Sequence, residues 1–229
     1  SIAPSLVYEE GDVIKRAIRD IFDSQTKNTL TTPMSKFKVL ILYPNGTLMN
    51  PPPISVGLFT ALLKHNGFEP SLFDTTFYTE SAPMASDDAK ARFLQTSPVD
   101  DSLRHSKLKE SDMIDDFVNF VDVIKPDLIV VSILEITYDT AVQLLDALED
   151  YPAPVLAGGV LAYSAPRLVL QNKNIDYLCL GEGEGMLVDI CRRLASKSSI
   201  EDIPNLAYER DGVVVKNPMR PLEDISAQP

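Results

Sequence analysis

The sequence predicts an α/β protein built on a parallel sheet, and three observations lead there. Within Lys125–Gly185, three short apolar runs, Leu128–Ser132, Val155–Ala157 and Tyr177–Leu180, each end in small or flexible residues and precede a helical pattern. That is the mark of consecutive βα units, whose strands are buried on both faces. Upstream, two more strand-like runs bracket an amphipathic stretch, completing a crossover that is right-handed by default. The chain has 229 residues, 45% of them apolar, which suits one domain with appendages.

In chain order, residues 1–33 read as an arm and linker. A helix is expected over Gly11–Phe22, with Val13, Ala17, Ile18 and Ile21 at helical spacing, and Gln25–Pro33 is a polar linker. Ala3–Phe22 resembles a short piece of ribonuclease E/G proteins but carries none of a nuclease site. Met34 has the look of a natural start. Phe37–Pro44 is the first strand, and the loop Asn45–Pro53 ends in three prolines. Ile54–His65 is a helix, stopped by Asn66-Gly67 because glycine tolerates the left-handed conformation. Glu69–Asp74 is the second strand. Thr75–Glu110 lacks periodicity and reads as an excursion over the ligand edge, with a short helix at Asp87–Leu94.

Ser111 is expected to cap a helix reaching Ile124, with Ile114, Phe117, Val118 and Val121 on its apolar face. Further helices are expected at Tyr138–Glu149, Pro166–Gln171 and Gly185–Ala195. Asp211-Gly212, between two β-prone runs, predicts a hairpin, and Pro218–Pro229 an extended tail. The expected organisation is an arm (1–33), a ligand-binding domain (34–200), and a hairpin with tail (201–229).

A net charge of −12 argues against nucleic acid and anionic membrane surfaces as partners. No apolar run is long enough to span a bilayer, and the N-terminus lacks a signal pattern, so a cytoplasmic location is expected. Cys179 and Cys191 are too few for a disulfide framework and read as buried thiols.

The strand ends Ser132-Ile133-Leu134, Gly158-Gly159-Val160 and Gly181-Glu182-Gly183-Glu184 would share one sheet edge, where open α/β sheets bind ligands. Gly158-Gly159 serves either close backbone approach to a ligand or a tight βα turn, and spacing leaves both open. Ser132 could bond a ligand or cap a turn. Glu182 and Glu184 invite an acid/base reading, but no His or Asp cluster supports one. No phosphate-loop motif is present. His65 and His105 both read as surface residues, and neither lies in the Asn45–Pro53 loop.

Taken in order, these residues resemble the cobalamin-binding domain at the N-terminus of cobalamin-dependent radical SAM enzymes, over about Lys36–Pro229. The resemblance is carried by Pro53–Leu58, Leu62–Glu69, Ser132-Ile133-Leu134, Ala157–Val160 and Asp176–Glu184. It implies a Rossmann-like, flavodoxin-like sheet of five parallel strands in the order 2-1-3-4-5. The corrin would lie on the strand ends and its nucleotide tail would enter a slot beside Ser132 and Gly158-Gly159. The implied cofactor contacts are Asn45, Thr47, Met49, Asn50, Ser132, Leu134, Glu135, Gly158, Gly159, Val160, Gly181, Glu182, Gly183 and Glu184, with no catalytic residue and no metal site. Many B12 proteins place a cobalt-ligating His after the first strand; here that loop has none, so base-off binding without a His ligand is expected. The radical SAM Cys-x-x-x-Cys-x-x-Cys triplet is absent, so S-adenosylmethionine and a [4Fe-4S] cluster are expected only in a separate catalytic domain, in cis or in trans. Methyl transfer is the implied chemistry, with ring formation also open. The alternative is a flavodoxin-like or receiver-like signalling or interaction domain, disfavoured by Tyr43-Pro44-Asn45 and Ser132 at the positions those folds use.

Overall fold

A computed structural model describes residues 36–46, 53–78, 108–148 and 151–222. The expected helices at Gly11–Phe22 and Asp87–Leu94, together with His105, Thr47, Met49 and Asn50, lie outside the described residues.

The sheet is built from β1 (Lys38–Tyr43), β2 (Glu69–Asp74), β3 (Leu128–Ser132), β4 (Val155–Gly158), β5 (Tyr177–Cys179), β6 (Leu206–Arg210) and β7 (Val213–Lys216). Its order is β2-β1-β3-β4-β5-β6-β7. The first five strands are parallel in the implied order, and β6 and β7 continue the same sheet antiparallel. The hairpin turns at Asp211 and Gly212, both at positive φ, as an Asp-Gly turn requires. The strand order reverses between β1 and β3, and a crevice opens at such a switch point.

Strand alternation sorts the core. Leu40, Leu42, Ile129, Val131, Val155 and Ala157 face one side. They are covered there by α2 (Met113–Ile124), α3 (Tyr138–Asp146), α4 (Val160–Ser164) and α5 (Pro166–Val169). Val39, Ile41, Leu128, Val130 and Leu156 face the other side, under α1 (Ile54–His65) and α6 (Glu184–Ala195). Both faces of the central strands are therefore dry, which explains their continuous apolar runs.

Two expectations are corrected. The α2 cap is Asp112, not Ser111: its Oδ1 accepts the Ile114 and Asp115 backbone N–H groups at 2.8 and 2.9 Å. A carboxylate there also meets the positive end of the helix dipole. Ser111 instead donates to Asp116 at 2.7 Å. The second correction is α4, where the sequence reading assigned no helix. A Pro two residues past its end cuts it to five residues, too short to register as a period.

The ends of the excursion meet. Tyr78 and Lys109 pair as a parallel bridge. The Tyr78 hydroxyl donates to Asp116 at 2.8 Å and accepts from Lys109 Nζ at 3.0 Å. Hydrogen bonds from Ser111 and Tyr78 hold the Asp116 carboxyl below its usual range.

Replacing Asp112 with Ala should cost about 1 kcal/mol in urea unfolding, the ordinary value of a helix cap. Ser111→Ala should cost less, because it removes one side-chain bond and leaves both capping bonds of Asp112 in place.

Candidate functional site

On the α1/α6 side, the last residue of each of four neighbouring strands is Tyr43 (β1), Ser132 (β3), Gly158 (β4) and Cys179 (β5). Strand alternation places them in phase with Ile41, Val130, Leu156 and Tyr177, and Ser132 stands opposite Gly158 in register. The small side chains at β3 and β4 leave a gap where the neighbouring layer is filled by Val130 and Leu156. That gap is a narrow slot, bounded on its outer side by Ser55, Val56 and Phe59 of α1 and by Met186 and Leu187 of α6. No charged side chain lines it among the described residues.

Both glycines line the slot, but they differ in what a side chain would meet. Gly159 sits at φ +98, and a Cβ there would lie 2.5 Å from the Ile133 carbonyl oxygen and 3.0 Å from its nitrogen. Backbone packing alone therefore demands glycine at Gly159. A Cβ on Gly158 would meet only Cys179, at an ordinary 3.7 Å. Gly158 is a wall of the slot, and the room it leaves is not needed by the fold. Ile133 N–H donates to the Gly158 carbonyl at 2.8 Å, which laces the two strand exits together.

Gly181 and Gly183 form the far lip and both line the slot. Gly181 lies at φ +92, and a Cβ on Gly183 would come within 3.1 Å of Phe59 Cζ. Glu182 lies between them, with its side chain outside the slot lining. Glu184 opens α6, where the helix dipole favours an acid, and its Oε2 is buried without a hydrogen-bond partner. No group of three metal-binding side chains occurs among the described residues.

The other expected contacts lie elsewhere. Leu134, Glu135 and Val160 are exposed on the carboxyl edge beside the slot, together with Ile136. Asn45 is buried: its backbone N–H donates to Thr75 Oγ1 at 2.7 Å, and its side-chain amide donates to Thr76 Oγ1 at 2.9 Å. It ties the β1 exit to the β2 exit. Thr47, Met49 and Asn50 are outside the described residues.

Sequence reasoning missed Tyr43, Ser55, Phe59, Cys179 and Met186 as slot residues. Alternation along β1 and β5 carried the signal for Tyr43 and Cys179, which share the phase of Ile41 and Tyr177. Burial, and to a lesser degree Asp74, raises the Tyr43 hydroxyl's pKa. Cys179 is both a buried thiol, as expected, and a slot wall; burial first, then Glu184, pushes it up to about 12. Burial alone does the same to Cys191.

Comparison with known proteins agrees with this fold. The family model for the B12 binding domain matches residues 51–191, more than half of the chain. Cytidylyl-2-hydroxyethylphosphonate methyltransferase of Streptomyces wedmorensis is 27% identical over 195 residues, covering 81% of this chain and 34% of its own length. The chain thus spans about a third of that curated relative. Two solved structures share the fold. The radical S-adenosylmethionine methyltransferase TsrM from Kitasatospora setae, with cobalamin and a [4Fe-4S] cluster bound, aligns at TM-score 0.58 and 19% identity, over 82% of this chain and 30% of that one. The cobalamin-dependent S-adenosylmethionine radical enzyme OxsB, with aqua-cobalamin and S-adenosylmethionine bound, aligns at 0.61 and 16%, over 82% of this chain and 23% of that one.

Two measurements test the site's architecture. Gly159→Ala should lose about 2 kcal/mol or more of stability in denaturant titration, because a left-handed φ and a backbone clash act together. Both thiols should resist an aromatic disulfide reagent at pH 8 in the native protein, since neither ionises there, and both should react in guanidinium.

Proposed function

This chain belongs to the B12-binding domain family, and we propose that its slot receives the nucleotide tail of a base-off cobalamin. The observation that carries this is the gap at the switch point, walled by Gly158 and Gly183 and free of charged side chains among the described residues. A neutral heteroaromatic base buried there would meet apolar walls from Val56, Phe59 and Leu187. Its orientation would come from the few polar groups present, as in small-molecule sites generally. Ser132 supplies such a group, and no described residue takes its hydroxyl. Leu134, Ile136 and Val160, exposed on the same edge, offer an apolar rest for the corrin.

The cofactor, when bound, supplies an organometallic bond from which a methyl group can be transferred. The chain's own contribution is to bind and orient. The slot fixes the tail, the dry walls exclude water from it, and the Asn45–Pro53 loop contains no imidazole to approach the metal. Thr47, Met49 and Asn50 are the side chains of that loop we propose nearest the metal; Asn45 at its start donates to Thr75 and Thr76 and supports the loop's base.

The domain assignment follows: residues 34–200 form the cobalamin-binding part, 1–33 an arm, and 201–229 the hairpin and tail. The likeness to methyltransferases supports a parent enzyme that transfers methyl groups, with a radical SAM domain in cis or in trans holding S-adenosylmethionine and the iron–sulfur cluster. The 229 residues contain no cysteine triplet for that cluster. No helix among the described residues is long and apolar enough to cross a membrane. With only two cysteines in the sequence, we propose a cytoplasmic setting.

Mixing the full chain with hydroxocobalamin, then desalting, should leave the chromophore on the protein. The reduced bound cofactor should show no nitrogen coupling in its electron paramagnetic resonance spectrum. Gly158→Leu should lower retention at least tenfold while the circular dichroism spectrum is unchanged. Absence of retained colour in both oxidation states would sink the proposal, and nitrogen coupling from the protein would overturn its base-off, His-free form.

A further inference from the structure

Asn205 is 2% exposed and sits at φ +69, in the turn before β6. All of its polar groups are engaged. Its backbone N–H donates to the Pro218 carbonyl at 3.0 Å, and its carbonyl accepts the Leu180 N–H at 2.8 Å. Its side-chain Nδ2 donates to the Glu182 carbonyl at 2.9 Å, and its Oδ1 accepts the Arg220 backbone N–H at 2.7 Å. The amide orientation is unambiguous, because one partner can only accept and the other can only donate.

These four bonds join two regions far apart in sequence. One is the slot lip, Gly181–Gly183, whose glycines line the cavity on either side of Glu182. The other is the segment Pro218–Leu222, which follows β7. That segment is also held by Arg220, whose guanidinium pairs with Asp189 on α6, and by Met219, whose Cε lies 2.6 Å from where a Gly181 Cβ would stand. The Glu182 carbonyl thus sits between the wall of the cavity, where Cys179 Sγ lies 3.8 Å away, and the Asn205 amide.

We infer that Asn205 is a positioning residue for the slot: its side-chain amide holds the Gly181–Gly183 lip in the shape that leaves the slot open, and ties that lip to Pro218–Leu222. The lip and the segment then loosen or tighten together. A ligand that orders the lip also orders the segment, because both share one amide. The inference rests on the slot being the cofactor's site only for its effect on affinity; the tie itself holds without ligand.

A merely conformational role, supplying a residue that tolerates positive φ, is separable from this one. Asn205→Gly keeps the conformational freedom and deletes both side-chain bonds. Asn205→Asp keeps the acceptor for Arg220 and removes the donor to Glu182. Hydrogen exchange of the ligand-free full chain, read by mass spectrometry, should show faster exchange at both 180–187 and 217–222 in Asn205→Gly. In Asn205→Asp it should be faster at 180–187 alone. Unchanged exchange at 180–187 in both variants would overturn the inference whether or not cobalamin binds. With hydroxocobalamin, Asn205→Gly should bind about tenfold more weakly than the wild type, and equal affinity would overturn the positioning role. Failure of the wild type to retain cobalamin would instead count against the proposed function, with the exchange measurement still deciding the tie.

Discussion

The β3 and β4 exits meet so closely that Gly159 has no room for a side chain against the Ile133 backbone. This contact fixes where the two central strands end relative to one another. With Ile133 N–H bonded to the Gly158 carbonyl, Ser132 and Gly158 are held side by side on the α1/α6 face. The slot is a consequence: two small residues in register, flanked by Tyr43 and Cys179, with Phe59 and Met186 of the covering helices on its lining. A side chain at position 159, itself on the slot lining, would push the exits apart and reshape the slot.

The sheet was legible because burial on both faces forces continuous apolar runs, and because Asn66-Gly67 and Asp211-Gly212 mark chain reversals that few other residue pairs allow. The glycine-rich exits were legible as a site for the same reason. Less legible was which glycine did what. Gly158 and Gly159 are identical as letters and both line the slot, and only the Ile133 backbone, brought in from another strand, makes glycine a packing requirement at Gly159 alone. The helix face of the slot was harder still. Ser55, Phe59 and Met186 follow ordinary helical spacing, so nothing local sets them apart from core. The misplaced α2 cap has a simple cause: Ser111 and Asp112 are both good caps, and the chain takes the charged one, while Ser111 supports Asp116.

Asn45 shows a different limit. Its place after β1 drew attention as a cofactor contact, yet its polar groups reach Thr75 and Thr76 at the β2 exit. Loop residues beside a site often serve the frame that carries the site. The same is true of Tyr43 in reverse: it reads as a strand terminus and lines the cavity. Both cases turn on side-chain direction, which alternation gives inside a strand and ceases to give one residue beyond it.

The pairing of Tyr78 with Lys109 has an evolutionary side. Two adjacent points of backbone, fixed by a bridge and a shared carboxylate, separate the sheet from whatever the intervening chain contains. Closing a longer loop between fixed ends costs only logarithmically more entropy. Insertions and deletions between these two residues can therefore be sampled with little penalty to the domain, making this a place where relatives sharing one frame can diverge.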